Sequence, residues 1–241
     1  IVYFGDTARV PYGSKSADTV IRYSRQIVRF LQTRNVKAIV IACNTASALA
    51  LETIEKEIDL PILGVVKPGA EMALQTTKNK KIGVIATEGT IHSGLYQRLI
   101  SQKDPEVTVY GQPCPLFVPL VEEGWTKDPI TEEVARRYLK DLLGKDIDTL
   151  IMGCTHYPLL RSLLRQVVGE KVTLVNPAYE TSQALKRMLA ELKLERDPSG
   201  SLEEGKYCFY ASDAVERLNE FARRVLPYEI VGTRQIQIEE Y

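Results

Sequence analysis

Two segments of this chain can be laid on one another without a gap. NVKAIVIACNT (residues 35–45) matches DIDTLIMGCTH (146–156) and places Cys154 on Cys43 at an offset of 111 residues. An amphipathic helical stretch precedes each segment and another follows, and then come short apolar runs, LPILGVV (60–66) and KVTLV (171–175), ending near Pro68 and Pro177. Strand-length apolar runs alternate with stretches of helical period, as in IVYFGD (1–6), VIRYSRQIVRFLQ (20–32) and AIVIAC (38–43), the rhythm of parallel α/β sheets. The fold expected is therefore α/β, with two related parallel-sheet domains facing each other across a central cleft. A first, discontinuous domain is expected to comprise 1–66 plus 178–241 and carry Cys43; a second, 67–177, carries Cys154.

The repeat also exposes a mismatch. VTVYGQ (107–112) corresponds to IVYFGD at the start, yet a strand, IGVIAT (82–87), and a helix around SGLYQRLI (93–100) precede VTVYGQ and find no counterpart in the first half. The expectation is a β-α unit of about 25 to 30 residues missing before Ile1; natural loss of that unit is the alternative. Towards the other end, TSQALKRMLAEL (181–192) reads as a helix, ERDPSGSLEEG (195–205) as a polar break, YCFYAS (207–212) as a buried strand and AVERLNEFARRVL (214–226) as an amphipathic helix. These last two are expected to return to the first sheet, and QIQIEE (235–240) alternates like a short edge strand.

Basic and acidic residues balance at 31 each, so no field favours nucleic acid or anionic membrane, and a small polar metabolite is the natural ligand. No apolar run approaches the roughly 20 residues that span a bilayer, and no signal-peptide pattern opens the chain. Cys43, Cys114, Cys154 and Cys208 lack the CxxC spacing of zinc or redox sites. A reduced, cytoplasmic protein is expected, with no metal.

In both repeats a cysteine closes a strand and a helix follows, which is where open α/β sheets bind ligands. The free amides of a helix start favour a thiolate and a substrate carboxylate; a thiol with pKa about 8.5 is only a few per cent ionised at pH 7, so a fall of one to two units matters greatly. One buried cysteine after a strand is ordinarily a packing residue. Two at equivalent positions suit a reaction that takes a proton from one face of a carbon and returns one to the other. That geometry asks for each sulfur about 3 to 3.5 Å from the carbon and hence roughly 6 to 7 Å between sulfurs. Asn44 and Thr45 follow one thiol, Thr155 and His156 the other; His156 either exchanges protons with Cys154 or bonds locally at a helix start. Nothing marks a cofactor lysine or a phosphate loop; Lys67 reads as a solvated crossover residue.

FGDTARVPYG (4–13), ACNTAS (42–47), IGVIAT (82–87), PLFVPLVEEG (115–124) and GCTHYPLL (153–160), taken in this order, resemble the cofactor-independent aspartate/glutamate racemases, most closely the bacterial glutamate racemases. The resemblance covers almost the whole chain. It implies an isomerase without pyridoxal or other cofactor that interconverts L- and D-glutamate and supplies D-glutamate for peptidoglycan. It implies two catalytic bases, Cys43 and Cys154, with His156 and Glu122 assisting. It also implies substrate binding by Tyr12, Gly13, Asn44, Thr45, Thr87, Thr155 and His156, and a homodimer. From composition alone Tyr12–Gly13 is a surface turn and Glu122 a solvated helix end. Cys114 and Cys208 read as packing residues and His92 as a surface one. The family's Asp-Ser-Gly turn, with its aspartate near the first cysteine, has no match here. An aspartate racemase, a thiol hydrolase built on Cys154 and His156, and a non-catalytic ligand-binding protein remain as competing readings.

Overall fold

The computed structural model describes residues 1–196, 207–227 and 229–241; residues 197–205 of the polar break lie outside them. The first half runs β1 (Val2–Gly5), α1 (Ala17–Gln32), β2 (Ile39–Ile41), α2 (Asn44–Leu49), α3 (Leu51–Glu55), β3 (Ile62–Gly64) and α4 (Val66–Thr76). The second runs β4 (Lys81–Ala86), α5 (Glu88–His92), α6 (Leu95–Lys103), β5 (Thr108–Pro113), α7 (Phe117–Glu122), α8 (Pro129–Leu143), β6 (Thr149–Gly153), α9 (Arg161–Val168), β7 (Thr173–Val175) and α10 (Pro177–Glu191). The chain closes with β8 (Cys208–Ala211), α11 (Val215–Val225) and β9 (Arg234–Gln235).

The repeat survives in three dimensions. Thr33 caps the end of α1 and Gly144 the end of α8. Two residues later Asn35 and Asp146 each take a left-handed backbone, φ 53° and 58°, a conformation that Asn and Asp tolerate better than most. β3 and β7, and then the first residues of α4 and α10, again stand at the same offset. Local chemistry starts the helices: the Ser16 side chain accepts from the Thr19 amide at α1, and the Asp128 carboxylate from the Ile130 amide, with Pro129 in the first turn of α8.

All strand pairs are parallel, in the orders β5-β4-β6-β7, β2-β3 and β1-β8-β9. In the four-stranded sheet β6 lies between β4 and β7 and every residue of it is buried, so Leu150, Ile151 and Met152 each contribute the roughly 1.5–3 kcal/mol of full side-chain burial. The halves differ at this point. β1 and β2 belong to separate sheets, and β2 has β3 as its only strand neighbour among the described residues.

β8 returns to the first half and pairs with β1 in the register Phe4↔Tyr210. Phe30 of α1 packs against Phe4, Tyr210 and Tyr241, with ring centroids 5.3, 5.0 and 5.3 Å away. The tail departs from the expected edge strand, since β9 stops at Gln235 and a single 3₁₀ turn covers Ile238–Glu240. That turn buries Ile238 against Phe30 and Tyr210, a contact that continued strand would forgo. Cys208 is exposed rather than a packing residue, because it opens β8 opposite Val2, two residues short of the aromatic cluster. Cys114 is buried and His92 exposed, as expected. Among the described residues, no helix is long and apolar enough to cross a membrane.

Candidate active site

Cys43 follows β2 and forms the N-cap of α2, its Sγ accepting from the Ala46 amide at 3.5 Å. Ser47, one turn on, donates to the Ile41 carbonyl and accepts from the Val65 amide, which fixes α2 against the ends of both strands. Cys154 follows β6, but the residues after it form a 3₁₀ turn, Tyr157–Leu160, before α9 begins. Pro158 sits in the first turn of that segment, as expected.

Contrary to the sequence expectation, both thiol pKa values are raised. Burial dominates at each. At Cys43 hydrogen bonds from Ala46 and Thr45 oppose it without overcoming it; at Cys154 the value is pushed up to about 12, with bonding from His156 and Thr155 opposing. The hydrogen bonds at each strand end are too little to offset removal of the sulfur from water. The negative charge of a Cys43 thiolate contributes to the rise at Cys154, so the two sulfurs lie within electrostatic reach of each other.

Each sulfur has a different escort. Beside Cys154, His156 Nδ1 is 3.8 Å from Sγ and 3.3 Å from Thr155 Oγ1, while Nε2 is 3.3 Å from Glu122 Oε1. Burial lowers the His156 pKa, and Glu122 works against that shift. Glu122 is the last residue of α7 and half-buried, so it is an engaged partner rather than a solvated helix end. On the Cys43 side, Tyr12 is buried, which overturns the surface-turn reading of its segment. Its hydroxyl donates to Asp6, and its pKa is raised by burial, by Asp6 and by the charge of Cys43. Asp6 also accepts from Arg9 Nε and Ser212 Oγ, at 2.9 Å each.

The remaining predicted residues join the two halves. Thr45 Oγ1 lies 2.8 Å from Thr87 Oγ1 and 3.3 Å from Thr90 Oγ1, and Thr87 lies 3.0 Å from Thr90, closing a buried ring of hydroxyls. Asn44 is buried and its Oδ1 accepts from Tyr96 of α6 at 2.8 Å. The Gly13 carbonyl accepts from the Gly89 amide at 2.8 Å. There is no room for a side chain here: a Cβ on Gly13 would lie 2.6 Å from Thr87 Cβ, and one on Gly89 would lie 3.1 Å from the Gly13 carbonyl oxygen. Thr155 is exposed.

Sequence reasoning did not nominate Asp6, Tyr96, Thr90, Ser212 or Arg217. Asp6 sits inside the FGD motif and so carried a signal; the others lie far from either cysteine in sequence and carry none.

A sequence model of the family described as Asp/Glu/Hydantoin racemase matches residues 1–185. The chain is 44% identical over 238 residues to a glutamate racemase of Geobacter metallireducens, covering 99% of this chain and 87% of that protein. The fold superposes with a TM-score of 0.92 on the crystal structure of glutamate racemase from Francisella tularensis in complex with D-glutamate, at 35% identity, covering 100% and 88% of the two chains. It superposes with a TM-score of 0.88 on the Thermus thermophilus glutamate racemase in complex with β-chloro-D-alanine, at 40% identity and with the same coverage.

Proposed function

Because the chain belongs to the Asp/Glu/hydantoin racemase family, we propose that it is a glutamate racemase, an isomerase that interconverts L- and D-glutamate with Cys43 and Cys154 as opposed proton carriers. The observation that carries this reading is the pair of thiols at equivalent strand ends, one in each half and within electrostatic reach of each other. Glutamate racemases among its relatives support glutamate as the substrate, in preference to aspartate.

In one direction a thiolate takes the α-proton: the C–H bond breaks, an S–H bond forms, and the electron pair passes into the substrate carboxylate as enolate character. The opposite thiol then protonates the other face and becomes the thiolate. Both thiols rest protonated, and a substrate α-ammonium in the cleft supplies the positive charge that the raised pKa values demand before either sulfur ionises. His156, accepting from Cys154 through Nδ1 and held at Nε2 by Glu122, takes the Cys154 proton to give the thiolate and an imidazolium, and gives a proton back when the site resets. Tyr96 occupies Asn44 Oδ1 and leaves the amide –NH2 to bind a substrate carboxylate. Thr155 offers a further hydroxyl next to His156, and the Thr45–Thr87 and Gly13–Gly89 contacts hold the two halves together. A dry, positioned site replaces the electron sink of a cofactor.

The domain division at 66/67 and 177/178 is part of the proposal, supported by the return of β8 to β1. So are a homodimeric state, a cytoplasmic location and supply of D-glutamate to peptidoglycan.

The test incubates the protein with each enantiomer of glutamate and of aspartate in deuterated water and follows circular dichroism together with α-deuterium incorporation. Inversion of glutamate with solvent-derived label is expected. Inversion of aspartate alone, or label exchange without inversion, would overturn the reading.

A further inference from the structure

We propose that Arg217 of α11 is a positioning residue for Cys154: it holds one oxygen of Glu122 so that the other keeps the His156 imidazole turned toward the sulfur. The inference rests on the racemase reading and extends it to a residue outside both cysteine segments.

Arg217 Nη2 is 3.2 Å from Glu122 Oε2, while Oε1 of the same carboxylate bonds His156 Nε2 at 3.3 Å. Arg224 Nη1 reaches the Glu122 main-chain carbonyl at 3.4 Å, one of the acceptors a helix end leaves free. Phe221 sets its ring 6.1 Å from the imidazole. Arg217, Phe221 and Arg224 are spaced four and three residues apart and so share one face of α11. A planar carboxylate gripped at one oxygen, with its backbone carbonyl held as well, has little freedom to rotate away from its imidazole.

The grip is anchored in the opposite half. Just before α11, Ser212 donates to Asp6, the Asp213 amide donates to Thr7 Oγ1 at 2.9 Å, and Ala214 takes a left-handed φ of 47°. β8, which leads into this turn, pairs with β1. The escort of Cys154 is therefore completed by a segment hydrogen-bonded to the residues that neighbour Cys43.

The titratable and charged groups around the imidazole are Cys154, Glu122 at the end of α7 with the adjacent Glu123 that caps it, and Arg217 and Arg224 of α11. Removing the Arg217 cation deletes a repulsion, which favours the imidazolium, and leaves the Glu122 carboxylate free to turn away from Nε2, which disfavours it; a positioning role requires the second effect to dominate. The chain has two histidines, and imidazole ¹⁵N NMR resolves their titrations, with His92→Gln assigning the second. Arg217→Gln is expected to move the His156 midpoint down by a few tenths of a pH unit, the scale of an exposed ion pair, and Arg217→Lys to bring it back towards wild type.

Kinetically, kcat/KM of R217Q should fall about two- to fivefold, equally in both directions, because enantiomers have an equilibrium constant of one. The primary isotope effect on α-deuterated substrate should rise for the enantiomer whose proton Cys154 removes and not for the other. An unmoved or raised His156 midpoint, or isotope effects that change alike for both enantiomers, would overturn the inference. Wild-type protein that fails to racemise glutamate would instead overturn the function, while the His156 titration would still report on the positioning.

Discussion

Cys43 and Cys154 occupy the same place in a repeated sequence, yet their surroundings are unlike. β6, which leads to Cys154, is flanked on both sides and wholly buried, and its sulfur meets an imidazole, a carboxylate and, beyond them, a guanidinium. β2, which leads to Cys43, pairs with β3, and the charge of Cys43 reaches Tyr12, whose hydroxyl donates to Asp6. Duplication supplies a strand end and a thiol. What the thiol can do is set by elements that the repeat does not share.

The comparison breaks first at the sulfurs. Cys43→Ser and Cys154→Ser should each lower racemisation by about 10²–10⁴-fold, since each removes a positioned proton carrier, and steady-state circular dichroism of both variants measures it. Retention of wild-type turnover in either would show that the sites are not complementary.

One step down, His156→Asn should cost about 10²-fold, the low end for a proton-transfer group. The corresponding change on the other side, Tyr12→Phe, deletes a phenol whose pKa is raised and which therefore stays protonated. It should act mainly on stability, by about 1–2 kcal/mol for a buried hydrogen bond to a charged group, read from urea denaturation. Equal kinetic losses in these two variants would mean that the escorts are equivalent after all.

The last effect lies in alkaline stability. A thiol whose folded pKa lies above its unfolded value stabilises the fold fully below the unfolded value, and that stability is lost as pH rises through the folded one. For Cys154 the window runs from 9.0 to about 12. Across it the urea midpoint of wild type should fall further than that of Cys154→Ser; identical slopes would remove burial as the cause of the raised thiol pKa.

Much of this was legible because it is local. An apolar run and a stretch of helical period each announce themselves within a few residues, and their recurrence marked both thiols. The thiol pKa values were misread because a helix start is a local signal, whereas desolvation depends on everything packed above it. The exposure of Cys208 and the turn at Ile238 likewise depend on where an aromatic cluster ends. Glu122, 34 residues from His156, came through family resemblance, and Arg217, on a helix after both repeats, had no motif to announce it.

The contact between Gly13 and Gly89 bears on manufacture as well as stability. A reaction passed between two faces of one atom loses about a hundredfold for an error of 1 Å, and long side chains make poor rulers because they bend. Here the gauge is backbone against backbone, a carbonyl on an amide with no side chain between them. Even alanine at position 13 would set its Cβ 2.6 Å from Thr87 Cβ, so something at this contact would have to shift. The tolerance of the machine is thus set at two positions that carry no functional group at all.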